Sequence, residues 1–315
     1  MASKTRIGLV GTGMVGMSYA YSLMQSNLAE ELILIDKDEA RAAGEAMDLN
    51  HGLPFVGPMH IHAGSYADLS GCSLTVVCAG ANQRPGQSRL DLLKNNAAVI
   101  RDVVPRIVQA NPEGVILVAT NPVDILTTIA AEFANLPQGK VLGTGTELDT
   151  ARFRFLLAEY YEVDPRSVHA WIVAEHGDHA VPLWSIANIA GVRLAEFTGP
   201  GGRRFQQTVM DQIFERTKNA AQAIIERKKA TYYAIGLTLL RVTEAIVRNQ
   251  RSVLSVTSPL RGQHGIEGIA LSLPTVVGLR GAEEVLDLPI SGEEVQQLHR
   301  AASVLKQHMA DIGSR

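Results

Sequence analysis

Cysteine is almost missing from this chain: Cys72 and Cys78 are the only two among 315 residues. Both flank one apolar, strand-like run, which is poor ground for a disulfide, and zinc-ligand spacing is absent. They read as buried apolar thiols in a reducing compartment, the cytoplasm. No apolar stretch reaches the length that crosses a bilayer. Residues 1–6 lead into a glycine-punctuated strand and not into a signal-peptide core. A basic excess is missing too. Lys and Arg number 29 against 32 Asp and Glu, a net charge of −3, so no electrostatic footprint for nucleic acid exists. Repeats and low-complexity tracts do not occur. The composition, 46% hydrophobic and 19% charged, excludes disordered and collagen-like classes and provides for a sizeable core.

Within that composition, four short runs (7–10, 32–35, 74–77 and 115–118) are almost continuously apolar. Unbroken rather than alternating hydrophobicity is what a parallel sheet covered on both faces requires. Segments 14–27 and 90–110 have helical length and composition, so strand and helix alternate as in a doubly wound sheet. After residues 143–146 the pattern changes. A helix is expected over 149–161, then β-rich sequence at 167–173 and 181–186, then a long helical stretch, 205–247, in which Gly236 predicts a kink. Strand-like runs return at 253–256, 269–272 and 275–277, and a helix over 292–310 has Ser291 as its N-cap. The expected fold class is α/β: a doubly wound parallel sheet over residues 1–145 and an α+β substrate domain over 146–315.

The run Gly11-Thr12-Gly13-Met14-Val15-Gly16 follows a strand, opens a helix and lies in a βαβ unit ending at Asp36. Three glycines alone merely close a turn; in this context they form a dinucleotide-binding fingerprint. Gly11 permits the tight turn, Gly13 lets backbone approach a pyrophosphate beside Met14 and Val15 at the helix start, and Gly16 allows close helix–strand packing. Asp36 is placed to accept hydrogen bonds from a ribose diol and to repel a 2′-phosphate, which favours NAD over NADP. Its ordinary alternative is a solvated turn residue. Asn121, in Thr120-Asn121-Pro122-Val123-Asp124, lies past another strand's carboxyl end, where such sheets bind ligands, although Asn-Pro also simply marks a turn.

Four further features point to chemistry on a small anion. Arg89 ends a Gly- and Pro-bounded polar segment, 80–89, suited to a closing loop. Asp149 and Arg152, three apart, share a helix face. His176 sits in Glu175-His176-Gly177-Asp178 after a strand-like run, and Thr231 in Ala230-Thr231-Tyr232-Tyr233 interrupts a helical stretch. Each has a plain alternative: a solvated arginine, a surface ion pair, a structural histidine, a loop.

As a set they are specific. With Gly44-Glu45-Ala46-Met47-Asp48-Leu49-Asn50-His51-Gly52, the 83–89 loop and residues 148–155, they resemble the lactate/malate dehydrogenase family nearly end to end, and its bacterial L-lactate dehydrogenase branch in particular. The resemblance implies NAD as cofactor, pyruvate and L-lactate as substrates, and no metal. It makes His176 the proton donor and acceptor, Asp149 its orienting partner, Arg152 the grip on the substrate carboxylate and Arg89 the group that polarises the carbonyl. Thr231 and Asn121 would line the substrate and nicotinamide pocket, with Ile235 against the nicotinamide ring. Gln83 would face the substrate's far end, where malate dehydrogenases of this family carry arginine. Arg154 and His169 match positions that bind fructose 1,6-bisphosphate between subunits of a homotetramer, or are interface residues without an effector.

Two positions depart from the family pattern: Lys229 stands where glycine is common, and Asn95 where a basic residue usually precedes the asparagine. The competing readings are a lactate-dehydrogenase-like malate dehydrogenase and, in another class, a non-catalytic NAD-binding redox sensor.

Overall fold

The apolar runs become neighbouring parallel strands. In the computed structural model, which describes residues 5–81 and 89–313 (Arg89 by its backbone alone), they are β1 (Arg6–Val10), β2 (Glu31–Ile35), β4 (Leu74–Val77) and β5 (Val115–Val118). With β3 (His60–Ala63) and β6 (Val141–Gly143) they pair in the order β3-β2-β1-β4-β5-β6, the order of a doubly wound dinucleotide-binding sheet. Every side chain in these apolar runs faces one of two helical layers, because successive residues of a strand point to opposite faces. Ile7, Leu9, Leu32, Leu34, Leu74, Val76 and Leu117 pack in one core with α1 (Met14–Ser26), α2 (Glu39–Gly52) and α8 (Tyr233–Val247). Val10, Ile33, Ile35, Val77, Ile116 and Val118 pack in the other, with α3 (Arg89–Ala110), α4 (Val123–Ala134) and α9 (Gly292–Asp311). Ser291 caps α9 as expected, its hydroxyl accepting from Glu294 N–H in a capping box.

The sheet does not stop at β6. The runs expected as three short strands are two long antiparallel ones, β12 (Ser252–Arg261) and β13 (Glu267–Gly278), and β12 pairs with β6 through Thr257 and Gly143. The intervening Ser, Thr and Pro residues hid that continuity: Ser255, Thr257, Ser272 and Thr275 are fully buried, and hydroxyls such as Thr257 and Ser272 bond to each other. Outside them, β8 (Ile172–Ala174) and β9 (Ala180–Pro182) complete one side, and β14 (Gly281–Val285) pairs with β13. A smaller antiparallel sheet joins β7 (Val168–His169), β10 (Asn188–Ile189) and β11 (Val192–Arg193).

The helical stretch 205–247 is three helices: α6 (Gln207–Lys218), α7 (Ala220–Lys228) and α8. The expected kink at Gly236 does not occur. Gly236 lies inside α8, where a Cβ would come within 2.8–2.9 Å of Ser18 on α1, so its service is close helix crossing. The break falls instead at Lys229, which takes the left-handed conformation (φ 69°) and accounts for the glycine common in the family. The helix expected over 149–161 starts two residues earlier, as α5 (Glu147–Tyr161).

Candidate active site

Parallel strands present their carboxyl ends along one edge, and the cofactor motif meets that edge at β1. Gly11 holds φ 102°, and a Cβ there would lie 2.5 Å from Ala79 N on the segment after β4. On Gly16 a Cβ would lie 2.1 Å from the Gly11 carbonyl, so only glycine lets α1 close on the turn. Around Gly13 nothing lies within 4 Å of an added Cβ, and no side chain caps the start of α1. The amide groups of the first turn, Met14 and Val15 included, are thus left without a side-chain cap, an arrangement that suits a pyrophosphate by charge.

Asp36, just past β2, faces the same turn. One oxygen accepts from Thr12 N–H at 2.8 Å and from the Thr12 hydroxyl at 3.0 Å; the other accepts from Asp38 N–H at 3.1 Å. Partial burial pushes this carboxyl up, but the three bonds outweigh it and hold it below the usual carboxylate range. The donor set therefore suits an ionised acceptor for a ribose diol. Cys72 and Cys78 are unpaired thiols, pushed up to about 11 and about 12 by burial.

A second group of site residues starts from α5 and β8. Thr150 fastens the two together: its hydroxyl accepts from Ile172 N–H at 3.0 Å and donates to the Ile172 carbonyl at 3.2 Å. Ala174, fully buried, then ends β8 at φ 72°, a left-handed conformation that costs a non-glycine residue roughly 1–2 kcal/mol. This turn sends the chain into Glu175 and His176. Such strain persists where surrounding bonds over-determine it.

Those bonds converge on His176. Its Nδ1 lies 2.5 Å from Asp149 Oδ2, and since a carboxylate only accepts, Nδ1 carries the proton and Nε2 is the nitrogen not engaged by Asp149. Asp149 Oδ1 accepts from Arg152 Nη1 at 3.0 Å, so a buried carboxylate links the imidazole to the guanidinium. The Asp149 charge raises the imidazole to about 9, against the opposing pull of burial. Asp149 itself is pushed up by burial but held below its ordinary value by His176 and Arg152.

Asp124 is the residue that motif reading passed over. It opens α4, only 2% exposed, and accepts His176 N–H at 2.8 Å on one oxygen and the Thr257 hydroxyl on the other, with Ser272 Oγ at 3.4 Å. One carboxylate thereby ties α4, β12, β13 and the His176 turn together. Burial pushes it up to about 6 despite those bonds. Its signal was present in Thr120-Asn121-Pro122-Val123-Asp124, but its partners are 52 and 133 residues away.

Asn121 lies exposed beside this group, its carbonyl accepting from Asn96 Nδ2 at 2.8 Å, and a cis bond joins it to Pro122. Asn96 also accepts from Ala81 N–H at 2.8 Å, so the asparagine anchors the segment, while the departing residue Asn95 is simply exposed. Thr231 is half-buried in the break between α7 and α8; Ile235, also half-buried, immediately precedes the Gly236 crossing with α1. Gln83 and the Arg89 side chain lie outside the described residues. Arg154 and His169 stand apart from the dyad. Arg154 donates Nε–H to Ala170 O at 2.9 Å and lies 4.5 Å over the Trp171 ring, and burial lowers its pKa; His169 is exposed.

A dinucleotide-binding glycine turn at the strand ends and a carboxylate-backed imidazole are the two features that NAD-binding oxidoreductases acting on small anions combine. The comparisons agree in detail. Residues 5–143 match the NAD binding domain of lactate/malate dehydrogenase, and residues 146–314 match the alpha/beta C-terminal domain of the same enzymes. L-lactate dehydrogenase of Acetivibrio thermocellus is 47% identical over 302 residues, covering 96% of this chain and 95% of that one. The Priestia megaterium L-lactate dehydrogenase is 46% identical, with 96% of each chain covered. A crystal structure of minor L-lactate dehydrogenase from Enterococcus mundtii superposes with a TM-score of 0.95 at 39% identity, over 99% of this chain and all of that one. The chain belongs to the lactate/malate dehydrogenase family. Among the described residues, no helix is long and apolar enough to cross a membrane.

Proposed function

We propose that this chain is a cytoplasmic, NAD-dependent L-lactate dehydrogenase that interconverts pyruvate and L-lactate, with residues 1–145 holding the cofactor and 146–315 the substrate. The observation that carries the reading is the Arg152–Asp149–His176 array, which offers an anion grip and a charged proton donor within one hydrogen-bonded unit. The L-lactate dehydrogenases at 43–47% identity supply the substrate class.

Bound NAD supplies the hydride chemistry. The residues of the chain do the rest. The amides at Gly13, Met14 and Val15 receive the pyrophosphate, Asp36 receives the ribose diol in place of the Thr12 hydroxyl, and Ile235 offers an apolar face. Arg152 pairs with the substrate carboxylate, a planar recognition that lysine does not reproduce. His176 gives the Nε2 proton to the carbonyl oxygen in reduction and takes it from the hydroxyl in oxidation, while Asp149 stabilises the imidazolium and fixes its ring. Arg89 polarises the carbonyl, a contribution of roughly 3–4 kcal/mol for one such donor. Asn121 and Thr231 line the pocket, and neutral Gln83 suits a methyl group where a second carboxylate would be buried unpaired.

The assay is NADH oxidation with pyruvate and with oxaloacetate. The reading expects a higher kcat/KM for pyruvate; a preference for oxaloacetate replaces it with malate dehydrogenase activity, and turnover of neither leaves a binding protein.

The same reading extends to a homotetramer in which Arg154 and His169 bind fructose 1,6-bisphosphate across an interface. An arginine and a histidine on adjoining segments suit phosphate, and the effector acts by binding the active arrangement more tightly. Titrating the bisphosphate at subsaturating pyruvate tests it: no shift in apparent KM or assembly state removes the effector.

A further inference from the structure

At the far end of β2 and β3, away from Asp36 and the catalytic dyad, lies the one group of three or more His, Cys, Asp or Glu side chains among the described residues with metal-binding geometry. We propose that Glu31, His60 and His62 form a binding site for a first-row divalent cation of the zinc class.

The backbone register creates the site. Glu31 pairs directly with His60 in the parallel ladder, and His62, two residues on, shares the His60 face of the strand. β3 is the outermost strand on this side of the sheet, so the group is open to solvent. The donor atoms of all three residues lie within 4.8 Å of one another. Glu31 Oε1 is 3.0 Å from His62 Nε2 and 3.7 Å from His60 Nδ1. Donors held roughly 2.0–2.1 Å from a tetrahedral zinc ion are about 3.3 Å apart, so these two separations bracket the required one. The His60 side chain, 71% exposed and stacked on His62 at 4.6 Å, has the freedom to close the remaining gap.

The surroundings prepare these donors. Arg6 holds the carboxylate from behind, its Nε donating to Oε2 at 2.7 Å and its Nη2 reaching Oε1 only at 3.4 Å, so Oε1 is the oxygen that also meets the imidazoles. His62 Nδ1 lies 3.2 Å from the Ala63 carbonyl, so when a cation takes the lone pair of Nε2, the nitrogen beside Glu31, the proton on Nδ1 has an acceptor. A backbone carbonyl behind a ligating imidazole is a recurrent support in metal sites. Two imidazoles, one carboxylate and a position open to water match zinc, cobalt or nickel; magnesium and calcium prefer all-oxygen shells. In the ion-free arrangement His62 Nε2–H donates to Glu31 Oε1 at 3.0 Å, and a cation would replace that proton. Metal binding would staple the edge strand to β2 and, through Arg6, to β1. It is a structural site with no part in proton or hydride transfer.

The test titrates Zn²⁺ into the metal-free full-length protein by calorimetry, alongside thermal unfolding and Co²⁺ absorption. The proposal expects one saturable ion per chain, a rise in Tm with zinc, and tetrahedral Co²⁺ bands, all lost in the double variant His60→Ala, His62→Ala. His179→Ala, which removes an exposed two-member His–Glu pair, should retain them. Unchanged pyruvate turnover in the double variant certifies its fold. Saturable binding that survives the double variant, binding lost in His179→Ala, or no stoichiometric binding by the wild type overturns the assignment.

Discussion

Replacing Asp149 with asparagine keeps shape and removes one charge from between His176 and Arg152. The carboxylate is 7% exposed and sits 2.5 Å from Nδ1, so its charge acts with little screening. It lifts the imidazole from an ordinary 6.5 to about 9. That difference is on the order of 3 kcal/mol in favour of imidazolium. Burial pulls the other way, so without Asp149 the value falls to the ordinary one or below it. At about pH 7.5 the protonated fraction then drops from nearly all to roughly a tenth. The sign follows from a raised folded value. The protonated form, and the stability it contributes, is fully present below 6.5 and is lost as pH rises through about 9. Reduction should fade over the same upper range in the wild type, while oxidation of lactate, which needs neutral imidazole, gains there. Asp149→Asn should lower kcat/KM for pyruvate at least about tenfold near pH 7.5 and regain much of it on acidification. Loss of the Arg152 partner adds a rise in KM. The assay is the full pH profile of pyruvate reduction for both proteins. An unshifted midpoint in the variant would refute the coupling, whatever the rate.

Asp124→Ala leaves the His176 amide and the Thr257 hydroxyl without their buried acceptor, at a cost of about 1–3 kcal/mol in denaturant unfolding, and should lower kcat more than it weakens NADH binding. Because burial raises Asp124 to about 6, its contribution to stability is present below the ordinary 3.8 and lost as pH rises through about 6; Asp124→Asn should flatten that part of the stability profile. Asp36→Ser should narrow the preference of kcat/KM for NAD over NADP, and a wild type indifferent between them would contradict the role given to Asp36. Gln83→Arg should shift the kcat/KM ratio toward oxaloacetate by roughly two orders of magnitude or more, as expected when a buried carboxylate gains its partner; an unchanged ratio would place the discriminating contact elsewhere.

Much of this protein is local and therefore legible in the chain itself. Almost continuously apolar runs at 7–10, 32–35, 74–77 and 115–118 need two covered faces, and the glycines of 11–16 need one particular turn; both constraints act between residues close in sequence. The Asp149–Arg152 pair likewise follows from one turn of helix. Tertiary structure decided what depends on distant partners. Gly236 reads as a kink until Ser18 arrives against it, and the Ser- and Thr-rich runs near 255 and 272 read as broken strands until their hydroxyls are paired across the sheet. Asp124 acquires its partners only when β12, β13 and the His176 turn close around it. A carboxylate's charge state, a histidine's affinity for its proton and the meeting of Glu31 with two strand histidines are set by burial and register, and neither exists until the chain has folded.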